Sequence, residues 1–474
     1  MKLDIASLVK PKIQPPLHPH FQPAALWNKA YQEAVAEAGR SEPLVIGLER
    51  ADGSLSRYQT RVFPSFLSEN GKWAATLRYV ERLVKCLLWM RGGFKVIVGG
   101  PAEIGRAIQK IYSRRGERFF DVELMSTAYG RKFAVEIIPA DSVLPPLEKT
   151  RPLGRHLDGC RIGFDLGASD RKVCALREGE MVFSEEVPWD PRNQSDPGYH
   201  YHQVQSGLHQ AASFLPQVDA IGGSAAGIYI DNQARVASLF RGIPRDLFQK
   251  RIKKMFIRLG REWKVPLEVA NDGEVTALAG SMSLEANRVL GLSLGSSQAG
   301  GYVDAEGHIT GWLNELAFAP VDYDPQAPVD EWSGDAGCGV QYFSQQAVFR
   351  LAASAGIELD ETIGPVERLK AIQELLARGD GRARLVFETI GVYLGYGIAH
   401  YADFYGIDHV LILGRVTSGE AGPILLEKAK EVLAIEFPQL KAQLQLHLPD
   451  ERSRRVGQAM AAASLPVISA NKKN

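Results

Sequence analysis

The stretch that decides the fold class is "GFDLGASDRKVCAL", residues 163–176. Its apolar residues indicate one strand that ends at Phe164 and a second strand after a short turn. In the turn, Gly167 lets the backbone approach a bulky anion, and Ser169 offers a hydroxyl and an N–H. Asp165, at the start of the turn, is a residue type that holds Mg²⁺ through water beside phosphates. An ordinary hairpin with turn-forming glycine and serine is the open alternative.

A second strand end lies in "VPLEVANDGEV", residues 265–275, where Asn271 and Asp272 separate an apolar strand from a helix. Because Asp and Asn both cap helix N-termini well, capping is one explanation for this acidic turn. The other explanation is that Asp272 is a general base, which takes the proton from a substrate hydroxyl. The sequence leaves both explanations open.

Two further turns carry glycine at strand ends. "SLGSSQAGGYV", residues 293–303, joins two strands, and its N–H groups can bind phosphate oxygens. "LILGRVTSG", residues 411–419, stops at Gly414, where an adenine or ribose can lie against the strand end. A plain β-turn is the alternative for each. The small residues of the first joint are Gly295, Ser296, Ser297, Gly300 and Gly301.

One more carboxylate stands in an apolar setting, in "GWLNELAFAP", residues 311–320. Glu315 lies between Trp312 and Phe318 in this stretch. A carboxylate among such neighbours needs a partner or a ligand hydroxyl. An arginine from elsewhere in the chain would satisfy it equally well.

Along the whole chain of 474 residues, strands alternate with helices. This order predicts an α/β fold with a largely parallel or mixed sheet covered by helices, in two or three domains. A proline-rich arm of about 25 residues precedes an α/β unit, in which "FDVELMS", residues 120–126, is predicted as a strand. A charged linker, residues 147–159, separates this unit from a second α/β region that begins at Arg161. Residues 43–100 and the region after Arg161 share one order of elements, which suggests a diverged duplication.

The composition excludes several classes of function. Lys and Arg together number 55, as do Asp and Glu, so the net charge is zero, which argues against nucleic-acid and membrane-surface partners. The four cysteines are scattered and lack metal-ligand spacing, as is typical of a reducing compartment. No signal-peptide pattern and no run of about 18 apolar residues occurs. We therefore expect a cytoplasmic protein that binds neither nucleic acid nor membrane.

The order of these motifs resembles that of the ROK (repressor, open reading frame, kinase) sugar kinases, in the hexokinase–actin–Hsp70 superfamily. The resemblance covers about residues 160–470 and includes the closing helix in "RRVGQAMAAASL". It implies a two-lobed ASKHA (ribonuclease H-like) ATPase fold, with lobes at 160–290 and 291–474. Residues 1–150 would be an additional N-terminal α/β domain of unknown role, packed on the first lobe. It also implies a sugar-like small-molecule substrate, ATP and Mg²⁺, and is compatible with a homodimer.

The resemblance also implies roles for individual residues. Asp272 would be the general base, while Asn271, Glu315 and the loop at Ser238 would bind the sugar. Asp165 would serve Mg²⁺ through phosphate or water, and together with Asp272, Gly295 and Gly414 it would line a cleft. The implied nucleotide-binding residues are Asp165, Gly167, Ser169, Gly295, Ser296, Gly300 and Gly414.

This sequence departs from the ROK pattern at several positions. Asp170 adds an acidic group to the phosphate hairpin, and the loop at Ser238 lacks the asparagine that the family often has. Phe318 replaces the family's zinc-and-sugar histidine, and of the zinc cysteines only Cys338 is present. Because a structural zinc site needs about four Cys or His ligands, we expect no zinc. These departures leave open an alternative, a non-catalytic ROK-like sugar-binding or regulatory protein.

Overall fold

The computed structural model describes residues 3–64, 71–148, 152–449 and 451–468, and in 451–456 the backbone only. By its contacts the chain divides into two compact units. Unit 1 consists of Met1–Lys149, Leu292–Gly300 and Trp312–Leu448. Unit 2 consists of Thr150–Gly291, Gly301–Gly311 and Pro449–Asn474.

This grouping differs from the predicted domain boundaries. Residues 1–149 fall into one compact unit with most of 292–448, instead of standing apart or joining the region after residue 160. The predicted linker, residues 147–159, includes residues 149–151, which lie outside the described part. The division into three domains stays a prediction.

The N-terminal part of unit 1 contains a four-stranded sheet in the order β2-β1-β3-β4. Its strands are β1 (Glu42–Glu49), β2 (Leu55–Val62), β3 (Lys95–Gly99) and β4 (Ala134–Ile138). Its helices are α1 (Ile5–Leu8), α2 (Ala24–Glu37), α3 (Lys72–Arg91), α4 (Ala102–Ile111) and α5 (Phe119–Tyr129). β1 is antiparallel to β2 and to β3, whereas β3 and β4 are parallel.

The predicted strand at residues 120–126 is wrong, because these residues belong to α5. Alternating apolar residues suggested a strand, but the buried positions Val122, Met125 and Ala128 repeat every three residues, as on a helix face. The helix ends where Gly130 adopts the left-handed conformation, with φ +64°, which glycine allows without steric cost.

Unit 2 is built on a five-stranded sheet in the order β11-β8-β5-β6-β7. The strands of this region are β5 (Cys160–Leu166), β6 (Asp170–Arg177), β7 (Glu180–Pro188), β8 (Ala220–Ala225), β9 (Ile228–Ile230), β10 (Gln233–Val236) and β11 (Leu267–Asn271). The helices are α6 (Pro197–Ala212), α7 (Arg245–Leu247), α8 (Met255–Trp263) and α9 (Asp272–Leu284). β5, β8 and β11 are parallel, so their carboxyl ends meet at one edge of the sheet.

A third sheet has the order β13-β12-β14-β15. Its strands are β12 (Val289–Leu294), β13 (Gln298–Val303), β14 (His409–Leu413) and β15 (Gln445–His447). The helices of this region are α10 (Gln345–Ser354), α11 (Pro365–Ala377), α12 (Gly381–Ala402), α13 (Ala421–Glu436) and α14 (Pro438–Gln443). In the described part of the chain, no helix combines the length and the apolar character needed to cross a membrane.

The last helix, α15 (Glu451–Ala463), packs against the sheet of unit 2. A Cβ on Gly163 would lie 1.9 Å from the Ala459 carbonyl oxygen, and one on Gly222 would lie 1.7 Å from that of Ala462. Only glycine fits at such distances, so two strands approach the helix backbone directly. The predicted closing helix is therefore present, and two glycines allow it to cover one face of the sheet.

The suggested duplication does not extend to topology. In the N-terminal sheet, the strand after the hairpin and helix is antiparallel to the first strand. In unit 2, the corresponding strand β8 is parallel to β5. The two regions share an order of elements but not a fold.

Candidate functional site

Asp165 lies near the end of β5 with 5% of its surface exposed. Ser224 Oγ donates a hydrogen bond of 2.7 Å to Asp165 Oδ1, and Lys172 Nζ lies 3.9 Å from Asp165 Oδ2. Burial raises the pKa of Asp165 to about 6, against the opposing effects of Ser224 and Lys172, while the charge of Asp272 raises it further. Asp165 is thus a buried carboxylate whose negative charge is incompletely balanced.

The two residues of the Asn271–Asp272 turn make different contacts at the start of α9. Asn271 is the N-cap of α9, since its amide oxygen accepts a 2.7 Å hydrogen bond from Gly273 N–H, while its Nδ2 donates to Gly227 O at 2.8 Å. Asp272 is the first residue of the helix, and its Oδ1 also accepts from Gly273 N–H, at 3.0 Å. Burial raises the pKa of Asp272. Asn271 is the N-cap and has the shorter bond from Gly273 N–H, so capping accounts for only one weak contact of the Asp272 carboxylate.

Two residues that sequence reasoning missed connect the ends of these strands. Ser224 pairs in register with Asp165 on the neighbouring parallel strand and donates to it. Gln458, on α15, donates from Nε2 to Ser224 Oγ at 3.0 Å and to the carbonyl oxygen of Asp272 at 3.4 Å. A serine near the end of the apolar strand "AIGGSA" was a usable signal, whereas Gln458 stands nearly 300 residues from Asp165 and had none.

The predicted hairpin after β5 is present and joins β5 to β6. Gly167 N–H donates to Asp170 O at 3.0 Å, and Ser169 Oγ donates to Asp170 Oδ2 at 2.9 Å. Lys172 Nζ lies 3.2 Å from Asp170 Oδ1. Asp170 therefore occupies both the Ser169 hydroxyl and part of the charge of Lys172.

Ser238 begins a short 3₁₀ turn after β10. Its neighbour Ala237 contacts Gly227 so closely that a Cβ on this glycine would lie 2.7 Å from Ala237 Cα. Gly227 is also the residue whose carbonyl holds Asn271. The structure thus brings the Ser238 turn beside the Asn271–Asp272 turn.

In unit 1, the second glycine-rich joint forms a tight turn between β12 and β13. Gly295 N–H donates to Ser297 O at 3.0 Å, Gly295 O accepts from Gln345 N–H at 2.9 Å, and Ser296 is exposed. Gly300 lies within β13 instead, where a Cβ would be 2.7 Å from Leu316 Cδ1. Packing of the strand therefore requires this glycine, whatever the turn binds.

Gly414 ends β14 with φ +104°, which an L side chain rarely adopts. A Cβ here would lie 2.3 Å from Leu294 O, so glycine lets this turn meet the end of β12. Glu315 is partly buried, and its N–H donates to Trp89 O at 2.9 Å. Apart from Gly300, the predicted candidates of unit 1 thus lie on short turns whose backbones are held by neighbouring elements.

Among the described residues, no group of three or more His, Cys, Asp or Glu could hold a metal ion. The absence of zinc stays a prediction. Mg²⁺ usually binds through one or two carboxylates plus substrate phosphates, so a nucleotide-dependent site needs no such group. An unbalanced buried carboxylate such as Asp165 fits this kind of binding.

Comparison with solved structures places this geometry in a known fold. A ROK hexokinase from Thermus thermophilus matches 65% of this chain and 97% of its own, with TM-score 0.51 and 17% identity. The chain has the fold of the ROK proteins. A ROK transcriptional regulator, described as a homologue of the E. coli MLC protein, matches 77% of this chain and 88% of its own, with TM-score 0.50 and 19% identity.

The resemblance found in the sequence is therefore confirmed at the level of fold, since identities this low show no more than that. No model of a protein family matches the sequence. A search of curated proteins also finds no match. The ROK fold serves both a kinase and a regulator, so function has to be argued from the site.

Proposed function

We propose that this protein transfers the γ-phosphoryl group of ATP to a hydroxyl of a sugar or sugar-like substrate, with Asp272 as the general base. The observation that carries the proposal is that Asn271, and not Asp272, is the N-cap of α9. Asn271 caps the helix, so the partly buried carboxylate of Asp272 is left for another role. The fold shared with a ROK hexokinase supports a kinase reaction.

The proposed step needs a carboxylate that accepts a proton. As the substrate oxygen attacks the γ-phosphorus, its proton passes to Asp272 and the bond to the ADP oxygen breaks. Burial raises the pKa of Asp272, which increases its affinity for this proton. A positioned base of this kind contributes roughly 10²–10⁴-fold to the rate.

The residues of unit 2 fit a magnesium–nucleotide complex. Mg²⁺ would supply charge that neutralises the phosphates. Asp165 would hold it through water, because the one cation that the described residues place beside this buried carboxylate is Lys172, at 3.9 Å. Gly167 and Ser169 would approach the phosphates from the hairpin.

The other proposed contacts follow from the ROK pattern. Gly295, Ser296 and Gly414 would face the nucleotide, with Gly300 supporting their strand. On the sugar side, we propose Asn271, Glu315 and Ser238. Asn271 already uses one N–H and one lone pair of its amide within the protein, so the second N–H and the second lone pair would be left for a sugar hydroxyl.

The test is Asp272→Asn, assayed by coupled ADP release against a panel of hexoses, amino sugars and polyols. The substitution keeps the shape of the side chain but removes proton acceptance, so we expect turnover to fall at least about a hundredfold. Nucleotide affinity should stay unchanged. Asp246→Asn is the matched control, since Asp246 is exposed on α7 of the same unit. Unchanged turnover in Asp272→Asn would show that Asp272 is not the general base.

A second candidate function is a non-catalytic sugar-binding or regulatory protein. Asp170 favours it, because this carboxylate lies on the hairpin where phosphates are expected, 3.2 Å from Lys172. A negative charge there opposes phosphate binding. Thermal shift with ATP, with and without Mg²⁺, separates the two candidates: a Mg²⁺-dependent shift is expected of the kinase, and no shift with ATP favours the regulator.

A further inference from the structure

The last turn of α3 holds the loop that carries Glu315. Glu315 N–H donates to Trp89 O at 2.9 Å, and Asn314 N–H donates to Met90 O at 3.0 Å. The final carbonyls of a helix have no partner within the helix. Here the Glu315 loop supplies the donors, so its backbone is fixed to the end of α3 by two consecutive hydrogen bonds.

Side chains that precede Glu315 in the chain reinforce this attachment. Asn314 adopts the left-handed conformation, with φ +52°, and its Oδ1 accepts a 2.9 Å hydrogen bond from Tyr405 OH. The Arg91 guanidinium lies 3.3 Å from the centre of the Trp312 ring, a cation–π contact. Trp312 is thus held by Arg91 of α3, and the Asn314 side chain is held by the buried Tyr405.

Trp89 contacts the other end of the loop. Its ring lies 4.3 Å from that of Phe318, measured between centroids, and its Nε1 donates to Asp121 Oδ1 at 2.8 Å. Asp121 is buried and lies 3.3 Å from Lys85 Nζ. The tryptophan that meets the loop is therefore fixed in its own orientation.

A buried ion cluster fastens the adjoining segment to the same helix. Asp335 lies 2.9 Å from Arg82, 3.0 Å from Lys85 and 2.6 Å from Arg118. Gly339, four residues further on, donates from its N–H to Ala319 O at 2.9 Å. The segment at residues 335–339, which follows the Glu315 loop, is therefore tied both to the cations of α3 and to the end of that loop.

We propose that α3 positions Glu315 for ligand binding, so that part of the N-terminal region belongs to the ligand-binding apparatus of unit 1. This inference rests on the proposed function only for the identity of the ligand. That ligand is a sugar-like polyol, whose hydroxyls can donate hydrogen bonds to a carboxylate. Residues around Trp89 are positioning residues, since they act through the Glu315 loop. A loop fixed at its backbone binds a polyol without first being ordered, which improves affinity by pre-organisation.

The test uses Tyr405→Phe in the full-length chain, which removes only the hydroxyl that holds Asn314. We expect amide hydrogen exchange at residues 312–318 to accelerate about fivefold, and the sugar KM or Kd to rise about fivefold, as for the loss of one hydrogen bond. The KM for ATP should stay within about twofold. Tyr396→Phe is the matched control, because Tyr396 is a buried tyrosine of the same unit whose hydroxyl donates to Glu436 Oε1 at 2.6 Å. It should leave exchange at 312–318 and the sugar KM unchanged.

A second pair of variants tests the same attachment through another side chain. Arg91→Gln removes the contact with Trp312, whereas Arg131→Gln removes a cation–π contact with Phe94 at 5.1 Å. We expect only Arg91→Gln to weaken sugar binding and to accelerate exchange in the loop. If amide exchange at residues 312–318 is as slow in Tyr405→Phe and Arg91→Gln as in the parent protein, the proposal is wrong. It is also wrong if exchange accelerates while the affinity for the sugar stays unchanged. If the parent protein binds no sugar in the panel, the proposed function fails, and exchange alone then decides whether α3 holds the loop.

Discussion

Two clusters in this chain each contain three carboxylates but differ in the number of cations that balance them. The Asp335 cluster of unit 1 has three carboxylates and three cations, with ion-pair distances from 2.5 to 3.3 Å. Its members are Glu81, Arg82, Lys85, Arg118, Asp121 and Asp335. The Asp165 cluster of unit 2 has three carboxylates and one cation. Its members are Asp165, Asp170, Lys172 and Asp272.

The pKa values follow this difference. Burial pushes the pKa of Asp335 upwards, but Arg82 and Lys85 outweigh it and hold the pKa below its usual value. For Asp165, burial prevails over Lys172, and the pKa rises to about 6. A buried charge that the protein itself neutralises is typical of a structural element, whereas one left unbalanced is typical of a ligand site. The same substitution should therefore have opposite effects on stability in the two clusters.

The largest effect is expected for Asp335→Asn. It leaves the three buried cations without their shared carboxylate, and breaking a buried pair in this way costs about 3–5 kcal/mol of unfolding free energy. Denaturant unfolding of the parent and the variant measures it. Glu331→Gln, on an exposed glutamate four residues earlier, is the control and should change little. A loss below about 1 kcal/mol would contradict the structural role of the cluster.

Asp165→Asn should stabilise the protein, because it removes a charge that is costly to bury. At pH 8 the gain in unfolding free energy should be about 2–3 kcal/mol, from a pKa raised by about two units. The amide oxygen can still accept from Ser224. We also expect loss of the Mg²⁺-dependent thermal shift with ATP, so stability and ligand binding would move in opposite directions. A destabilised variant would place Asp165 with the structural carboxylates.

The pH dependence of stability gives a smaller and more specific effect. The folded pKa of Asp165, about 6, lies above the usual aspartate value of 3.8. The folded state therefore binds the extra proton between these values, and stability from this group is lost as pH rises from about 4 to about 6. The difference between Asp165→Asn and the parent should grow over this window and then level off. A difference that is constant from pH 4 to pH 8 would exclude a raised pKa.

Some features of the fold could be predicted from the sequence because they are local. The apolar run at Asp165 is a strand followed by a hairpin turn and a second strand, and the run before Asp272 is a strand followed by a helix, as expected. The strand predicted at residues 120–126 failed because short alternating runs fit either structure until their packing is known. The order of motifs identified the fold, although no sequence comparison finds a match.

The site was harder to predict, because its polar contacts join distant parts of the chain. Asn and Asp are equally good caps, so only the structure shows that Asn271 performs this task and Asp272 does not. On α3, Arg82 and Lys85 are both 1% exposed, although lysine and arginine are rarely buried unless they are paired. Their partner Asp335 stands about 250 residues away, beyond any pattern of local spacing.

The contact between α15 and the sheet of unit 2 has a consequence for biosynthesis. Ala459 follows Gly163 by roughly 300 residues, so closing this contact is among the slowest kinds of step in folding. During translation, the face of the sheet at Gly163 and Gly222 stays uncovered until the last helix leaves the ribosome. Apolar surface exposed for that long is what chaperones bind. Nascent unit 2 is therefore the part of this protein expected to depend most on chaperones.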